Sequence, residues 1–220
     1  MTELDFDILP VVQRGRIRGY VRRSSLGQGP CRLFQEQVTV DDTISSSTDL
    51  LSLLRILASR AWVFVLEGDR IRGILTRSDL QRAPARMFLF GLLSLFEAHL
   101  LRLIRTYHPD GTWKALIDQK LVHSAEQEFE RKRNRNEATD LAECISFGGK
   151  LAVALASERI RGAIGPLPRG TPEPEKDLRT LRNNLAHGGD LLRGLTWKAL
   201  PGIVRWLDRT LVRSGRDSNR

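Results

Sequence analysis

Two periodicities divide the chain near Pro84. Before it, apolar residues come in short runs closed by glycine-containing turns. Ile8-Leu9-Pro10-Val11-Val12 leads into Arg14-Gly15, and Trp62-Val63-Phe64-Val65-Leu66 leads into Glu67-Gly68-Asp69. Each turn is followed by a second run, so the pattern predicts strand, tight turn, strand, then a helix opening at Ser or Asp. Val38-Thr39-Val40 alternates like a further short strand, and Asp49 to Leu57 has helical spacing.

The second runs are copies of each other. Arg16-Ile17-Arg18-Gly19-Tyr20-Val21-Arg22-Arg23-Ser24-Ser25-Leu26 recurs, 54 residues on, as Arg70-Ile71-Arg72-Gly73-Ile74-Leu75-Thr76-Arg77-Ser78-Asp79-Leu80. An internal repeat constrains architecture more than any single element does. The second copy is a full β-α-β-β-α unit, and the first lacks the opening β-α.

Beyond Pro84 the apolar period lengthens to about 3.6 residues. Phe88, Leu92, Leu95, Phe96, His99, Leu100, Leu103 and Ile104 would share one helix face, ended at His108-Pro109-Asp110-Gly111, with Glu97 and Arg102 on other faces. Further helices are expected over Trp113 to Arg133 and over Asp140 to Arg161, the latter capped by Thr139 or Asp140 with Glu143 in its first turn. The stretch from Gly165 to Pro174 holds four of the nine prolines and predicts a loop. A fourth helix should run from near Glu173 to the glycine stop at Gly188-Gly189, and a fifth from Thr196 to Val212. The fold class expected is therefore α+β: a small αβ module over 1–84, an all-helical bundle over 85–213, and a disordered tail over 214–220.

Composition narrows the function classes. With 220 residues, 41% hydrophobic and 28% charged, the chain can build one large or two small domains and is not intrinsically disordered. Its 35 Lys and Arg against 26 Asp and Glu leave +9, which favours a polyanionic partner. That excess is uneven: residues 1–84 carry 12 Arg, no Lys and 10 acids, so +7 falls in the helical half. Cys31 and Cys144 match no CxxC or zinc spacing, and the four histidines form no HxxxH pair, so no metal site is expected. No stretch is expected to span a membrane, since Met87 to Ile104 is interrupted by Glu97, His99 and Arg102; the acidic opening is unlike a signal peptide. A cytoplasmic location is the expectation.

The β-α-β-β-α order with the segment Gly73-Ile74-Leu75-Thr76-Arg77-Ser78-Asp79-Leu80 resembles a cystathionine-β-synthase (CBS) domain pair over roughly residues 4–84. The resemblance implies an adenosine nucleotide as regulatory ligand, with Thr76 and Asp79 contacting phosphate and ribose. A helix N-terminus can present N–H groups to phosphate, and a carboxylate can accept both ribose hydroxyls. Arg22 and Ser25 stand at the equivalent first-copy positions and depart from the pattern. Alternatively, Ser78 or Asp79 simply caps a helix.

In the helical half, Leu181-Arg182-Asn183-Asn184-Leu185-Ala186-His187-Gly188 resembles the Arg-x(4–6)-His signature of the HEPN superfamily, over about residues 85–213. The resemblance implies a metal-independent endoribonuclease acting as a homodimer on RNA, with Arg182 and His187 as catalytic pair and Asn183 in support. His can exchange protons near neutral pH, and Arg can grip a phosphate with two nitrogens. One His per chain cannot be base and acid together, so a symmetric dimer is expected. Glu97 could orient the imidazole, and Arg131, Lys132, Arg133 and Arg135 could contact RNA phosphates; a salt-bridged carboxylate and a solvated helix end are the structural alternatives.

Together these readings give a ligand-controlled endoribonuclease that requires no cofactor and acts in stress or antiphage defence, with an antitoxin or defence-system protein as a further partner. The alternative is a non-catalytic nucleotide-binding regulatory protein that uses both modules for binding.

Overall fold

The computed structural model describes residues 6–217; Met1 to Asp5, the acidic opening, and residues 218–220 of the expected tail lie outside the described residues. The chain divides between Leu80 and Gln81 into two compact units, an αβ unit and a helical one, and its fold class is α+β.

In the αβ unit, β1 (Ile8–Gln13) and β2 (Arg16–Arg22) form an antiparallel hairpin. Arg14 and Gly15 turn it with φ of 50° and 71°, a conformation that glycine adopts without steric cost. A second sheet has the order β3 (Thr43–Ser45), β4 (Trp62–Glu67), β5 (Arg70–Thr76), with β3 parallel and β5 antiparallel to β4. Helix α1 (Leu50–Ser59) makes the crossover, capped by the Asp49 carboxylate, which accepts the Ser52 amide at 2.9 Å. The repeat is structural as well as sequential. Ile8 pairs with Arg22 as Trp62 pairs with Thr76, and both hairpins bulge at the same place, Val11/Val12 and Val65/Leu66.

The two copies differ at the glycine they share. A Cβ on Gly19 would lie 2.4 Å from the Glu36 carbonyl oxygen, because residues 35–37 run against β2. The same addition at Gly73 meets nothing within 4 Å. Only the first copy needs its glycine for close backbone approach. Ile8, Tyr20 and Phe64 centre the core of this unit, with Trp62 edge-on to Tyr20 at 4.9 Å between ring centroids. The elements expected to open as helices at Ser or Asp are short 3-10 turns instead, Arg23–Ser25 and Arg77–Gln81.

The helical unit is built around α2 (Ala83–Tyr107), which has Pro84 in its first turn and packs on the four helices that come after the next one. Its buried side chains include Ala85, Leu89, Leu93, Phe96, His99, Leu100, Leu103 and Ile104. The expected face holds in the C-terminal half. In the N-terminal half Phe88 and Leu95 are exposed and Leu89 and Leu93 take their places. Met87 to Phe96 is apolar on every side, so periodicity alone does not choose the face.

That same apolarity corrects the expectation about length. α2 has 25 residues and an 18-residue window of mean hydropathy 1.7, which by length and composition is enough to cross a membrane; Glu97, His99 and Arg102 are too few to lower the average further. In this structure much of the helix faces protein, with Phe96 5.0 Å from the Trp206 ring and 6.4 Å from Phe147.

The next two expected helices are each interrupted. Trp113 belongs to a 3-10 turn, Thr112–Leu116, and α3 (Gln119–Asn134) starts afresh where the Asp118 carboxylate accepts the Lys120 amide at 2.7 Å. Likewise residues 141–145 form turns, with Asp140 accepting the Glu143 amide at 2.9 Å. α4 (Phe147–Ala156) and α5 (Glu158–Ile164) come next, broken at Ser157. α6 (Pro174–Ala186) and α7 (Leu200–Asp217) complete the unit, so residues 214–217 continue a helix rather than begin a tail.

Candidate functional site

The Arg-x4-His segment lies at the end of α6. Leu178, Leu181 and Leu185 bury one side of this helix, which leaves Asn183 exposed and Arg182 half-buried. His187 is the C-cap: its amide donates to the Asn183 carbonyl at 3.0 Å, and its side chain is exposed. Gly188 comes next with φ of 67°, the left-handed residue that commonly ends a helix. Asn183 and His187, four apart, share a face of the helix, and Arg182 stands one position round from it. Among the described residues neither the Arg182 guanidinium nor the His187 ring forms an ion pair.

The turn after His187 is tightly held, in part by residues from far away in the sequence. Arg86, in the first turns of α2, donates to the carbonyls of Asn184 and Gly189, both at 2.8 Å. Gln81 donates to the Asp190 carboxylate at 2.8 Å and accepts the Leu191 amide at 2.9 Å. Asn184 donates from its Nδ2 to the carbonyls of Leu191 and Arg193. The Leu192 amide, and then the Gln81 side chain, hold the Asp190 carboxyl below the usual carboxylate range. Asn184 is visible in the motif. Gln81 and Arg86 carry no sequence signal, because the contacts they make span about a hundred residues.

Of the two readings of Glu97, imidazole orienter or salt-bridged carboxylate, the structure shows the salt bridge. Glu97 Oε1 accepts from Lys150 Nζ at 2.9 Å, and the buried Lys150 also donates to the carbonyls of Ile145 at 2.6 Å and Glu143 at 3.3 Å. All three ammonium hydrogens thus have acceptors, which is the condition for burying such a charge. The structure draws no hydrogen bond between Glu97 and His187.

The basic run is neutralised where it stands. Arg131 pairs with Glu128 at 2.5 Å, Lys132 with Glu143 at 3.6 Å, Arg133 with Glu130 at 3.5 Å and Arg135 with Glu137 at 2.8 Å. Arg133 also lies over the Phe129 ring.

In the αβ unit, Thr76 and Asp79 are brought together. The Thr76 amide and hydroxyl both donate to Asp79 Oδ2, at 2.8 and 2.9 Å. Thr39 and Asp42 repeat this geometry at 3.0 and 2.8 Å. The arrangement closes a turn, and it leaves a carboxylate and a hydroxyl side by side at the end of β5. At the equivalent first-copy position, Arg22 donates from Nε to both Glu36 carboxylate oxygens (3.0 and 3.1 Å) and from Nη2 to the Tyr20 hydroxyl at 3.0 Å. Its guanidinium lies over the Tyr20 and Trp62 rings. Burial, ahead of any partner, raises the Tyr20 phenol above its ordinary 10.0. A cavity of about 420 Å³ opens elsewhere in this unit, bordered by Arg18, Thr39, Thr43, Leu66, Asp69 and Ile71 among others; Thr76 and Asp79 are not on its wall. Among the described residues no group of three or more His, Cys, Asp or Glu side chains could hold a metal ion.

Comparison with known proteins bears on the αβ unit. Residues 38–86 match the model of the CBS domain family. A zinc metalloprotease of Methanocaldococcus jannaschii is 33% identical over 76 residues, which is 34% of this chain and 22% of that protein, so the chain spans less than a quarter of the relative's length. No solved structure matches the chain. CBS domains commonly bind adenine nucleotides. The hairpin β4–β5, the β3–α1 segment before it and the Thr76–Asp79 turn after it fall within residues 38–86, and these residues are a CBS domain.

Proposed function

We propose that this protein is a ligand-regulated, metal-independent endoribonuclease of the HEPN kind, working as a homodimer on RNA. The observation that carries the reading is the end of α6: an exposed His187 ring, with Arg182 and Asn183 a turn before it, on a helix end fastened by Arg86, Gln81 and Asn184. A catalytic group needs such a fixed platform with an accessible head.

In the proposed reaction the 2′-oxygen of a ribose attacks the adjacent phosphorus. His187 of one copy takes the 2′-hydroxyl proton, and His187 of the second copy gives a proton to the departing 5′-oxygen. The P–O5′ bond breaks and leaves a 2′,3′-cyclic phosphate and a 5′-hydroxyl. Arg182 stabilises the charge gathering on the phosphoryl oxygens, with Asn183 as a neighbouring hydrogen-bonding group. Glu97 serves the bundle through Lys150 in this scheme.

The CBS domain supplies the regulatory half. An adenine nucleotide at Thr76 and Asp79 would control the RNA cleft only through different affinities for two arrangements of the dimer. A role in stress or antiphage defence suits that pairing, with an antitoxin or defence-system protein as partner. The second reading, a non-catalytic nucleotide-binding regulator, is favoured by the CBS domain alone. Labelled structured RNAs incubated with the purified protein, with and without adenine nucleotides, decide between them. The nuclease reading expects cleavage whose rate changes with nucleotide; nucleotide binding with intact RNA throughout would favour the regulator.

A further inference from the structure

The first half of α2 exposes large apolar side chains to solvent. Met87 is 73% exposed, Leu95 60%, Phe90 46% and Phe88 38%. With Gly91, Ser94 and Ala98 they occupy the side of the helix opposite the buried Leu89, Leu93, Phe96 and Leu100. The four large side chains leave on the order of 400 Å² of apolar surface open, as large as the biggest such patch on an ordinary monomer.

Gly91 points independently to a close neighbour. Glycine inside a helix is destabilising relative to alanine, and a mid-helix glycine is commonly explained by another backbone close by. No such neighbour exists within the chain: a Cβ added at Gly91 would meet nothing within 4 Å. The small residue is therefore accounted for by an approach from outside.

The order of sizes along this face fits a second copy of the same helix. A two-fold axis crossing α2 between Gly91 and Ser94 sets Gly91 of one copy against Ser94 of the other, and Met87 against Ala98. Leu95 and Phe88 then meet along the rim. A standard interface buries about 800 Å² per partner, a little over half of it apolar, and the patch supplies that apolar part. From Met87 to Ala98 the face is about 17 Å long before Arg102 interrupts it, too short to span a bilayer.

We propose that two copies of the chain pair through this face, antiparallel and with the backbones in close approach at Gly91. The proposal rests on the nuclease reading only for its purpose. Arg86 fastens the α6 end on both sides of His187. Pairing here sets the two Arg86 residues roughly 20 Å apart along the helices, so both histidine-bearing ends lie near the same axis.

The test is sedimentation equilibrium of the intact protein and of Gly91→Leu and Leu95→Glu. A wild-type dimer is expected, weakened at least about tenfold in both variants. Gly91→Leu is the decisive one. No contact in the chain opposes the new side chain and leucine is the better helix former, so the fold persists while close approach is blocked. Unspecific apolar contact, or docking on a membrane, would instead be strengthened by the added leucine. A monomeric wild type, a dimer that Gly91→Leu leaves equally strong, or phosphatidylcholine–phosphatidylglycerol vesicles that bind Gly91→Leu more tightly than wild type, overturns the surface. RNA cleavage separates this result from the nuclease reading. A dimer broken by Gly91→Leu in a protein that leaves RNA intact upholds the surface and removes the nuclease. A cleaving dimer that withstands Gly91→Leu does the reverse.

Discussion

Arg86 binds the carbonyl of Asn184 at 2.8 Å and so ties the first turns of α2 to the last turn of α6, three residues before His187. Its other terminal nitrogen holds Gly189, two residues after His187. One guanidinium thus brackets the proposed catalytic histidine on both sides without touching it.

Arg86→Ala should therefore impair cleavage through position. Loss of two charge-assisted hydrogen bonds is expected to cost about 2 kcal/mol, a fall in Tm of roughly 4–8 °C for a chain of this size. Amide exchange at residues 187–191 should rise, and kcat should fall by more than KM changes. An unchanged exchange pattern would mean that the clamp is dispensable.

His99 supplies a pH dependence. It is 8% exposed, and burial first, then the charge of Arg102, holds its pKa below the ordinary 6.5. Because the folded value is the lower one, the unfolded chain takes up a proton that the folded chain refuses, and stability falls as pH drops below about 6.5 toward the folded pKa. Above that window His99 contributes no slope. Replacement of His99 by Gln should flatten the decline in Tm between pH 6.5 and 5; an identical decline in the variant would assign it to other groups.

The hairpins are legible in the sequence because alternation, a turn glycine and a 54-residue repeat are all local signals, and the shared bulge confirms that the copies fold alike. The breaks at Asp118, Ser146 and Ser157 are not. Apolar spacing continues across them, while the structure is decided by caps and by long-range contacts such as His108 Nε2 lying 2.9 Å from Ser157 Oγ. The candidate site divides in the same way. The Arg182–His187 segment and its glycine stop are contiguous, whereas Arg86, Gln81 and the Lys150 partner of Glu97 come from distant turns. The basic run is legible as charge, but the carboxylates that neutralise it include Glu143, brought in by the fold.

Those ion pairs imply a weak role in binding. Changing Arg131, Arg133 and Arg135 together to Gln should alter RNA affinity by less than about twofold and leave the salt dependence nearly intact, since cations already paired contribute little counterion release. Filter binding at several salt concentrations checks this. A large loss of slope would show that the run leaves its carboxylates for phosphate.

At the CBS domain, Asp79→Ala removes the acceptor of both Thr76 hydrogen bonds. A stability loss of about 1 kcal/mol is expected from the lost turn closure, together with loss of adenine nucleotide binding. Asp79→Asn keeps an acceptor oxygen and should restore most of the stability. Calorimetric titration with AMP and ATP separates the two effects; full nucleotide affinity in Asp79→Ala would place the ligand elsewhere, such as the cavity beside Thr39 and Asp69.

The proposed chemistry depends on one imidazole. Wild-type protein and His187→Ala, matched in circular dichroism and oligomeric state, should be incubated with the same end-labelled structured RNA and the products analysed for their termini. The wild type should yield fragments ending in 2′,3′-cyclic phosphate. The variant should cleave at least about a thousandfold less, the upper part of what a general acid or base contributes in each of two linked roles. Cleavage that persists in His187→Ala, or a wild type that leaves every RNA intact, would refute the nuclease mechanism.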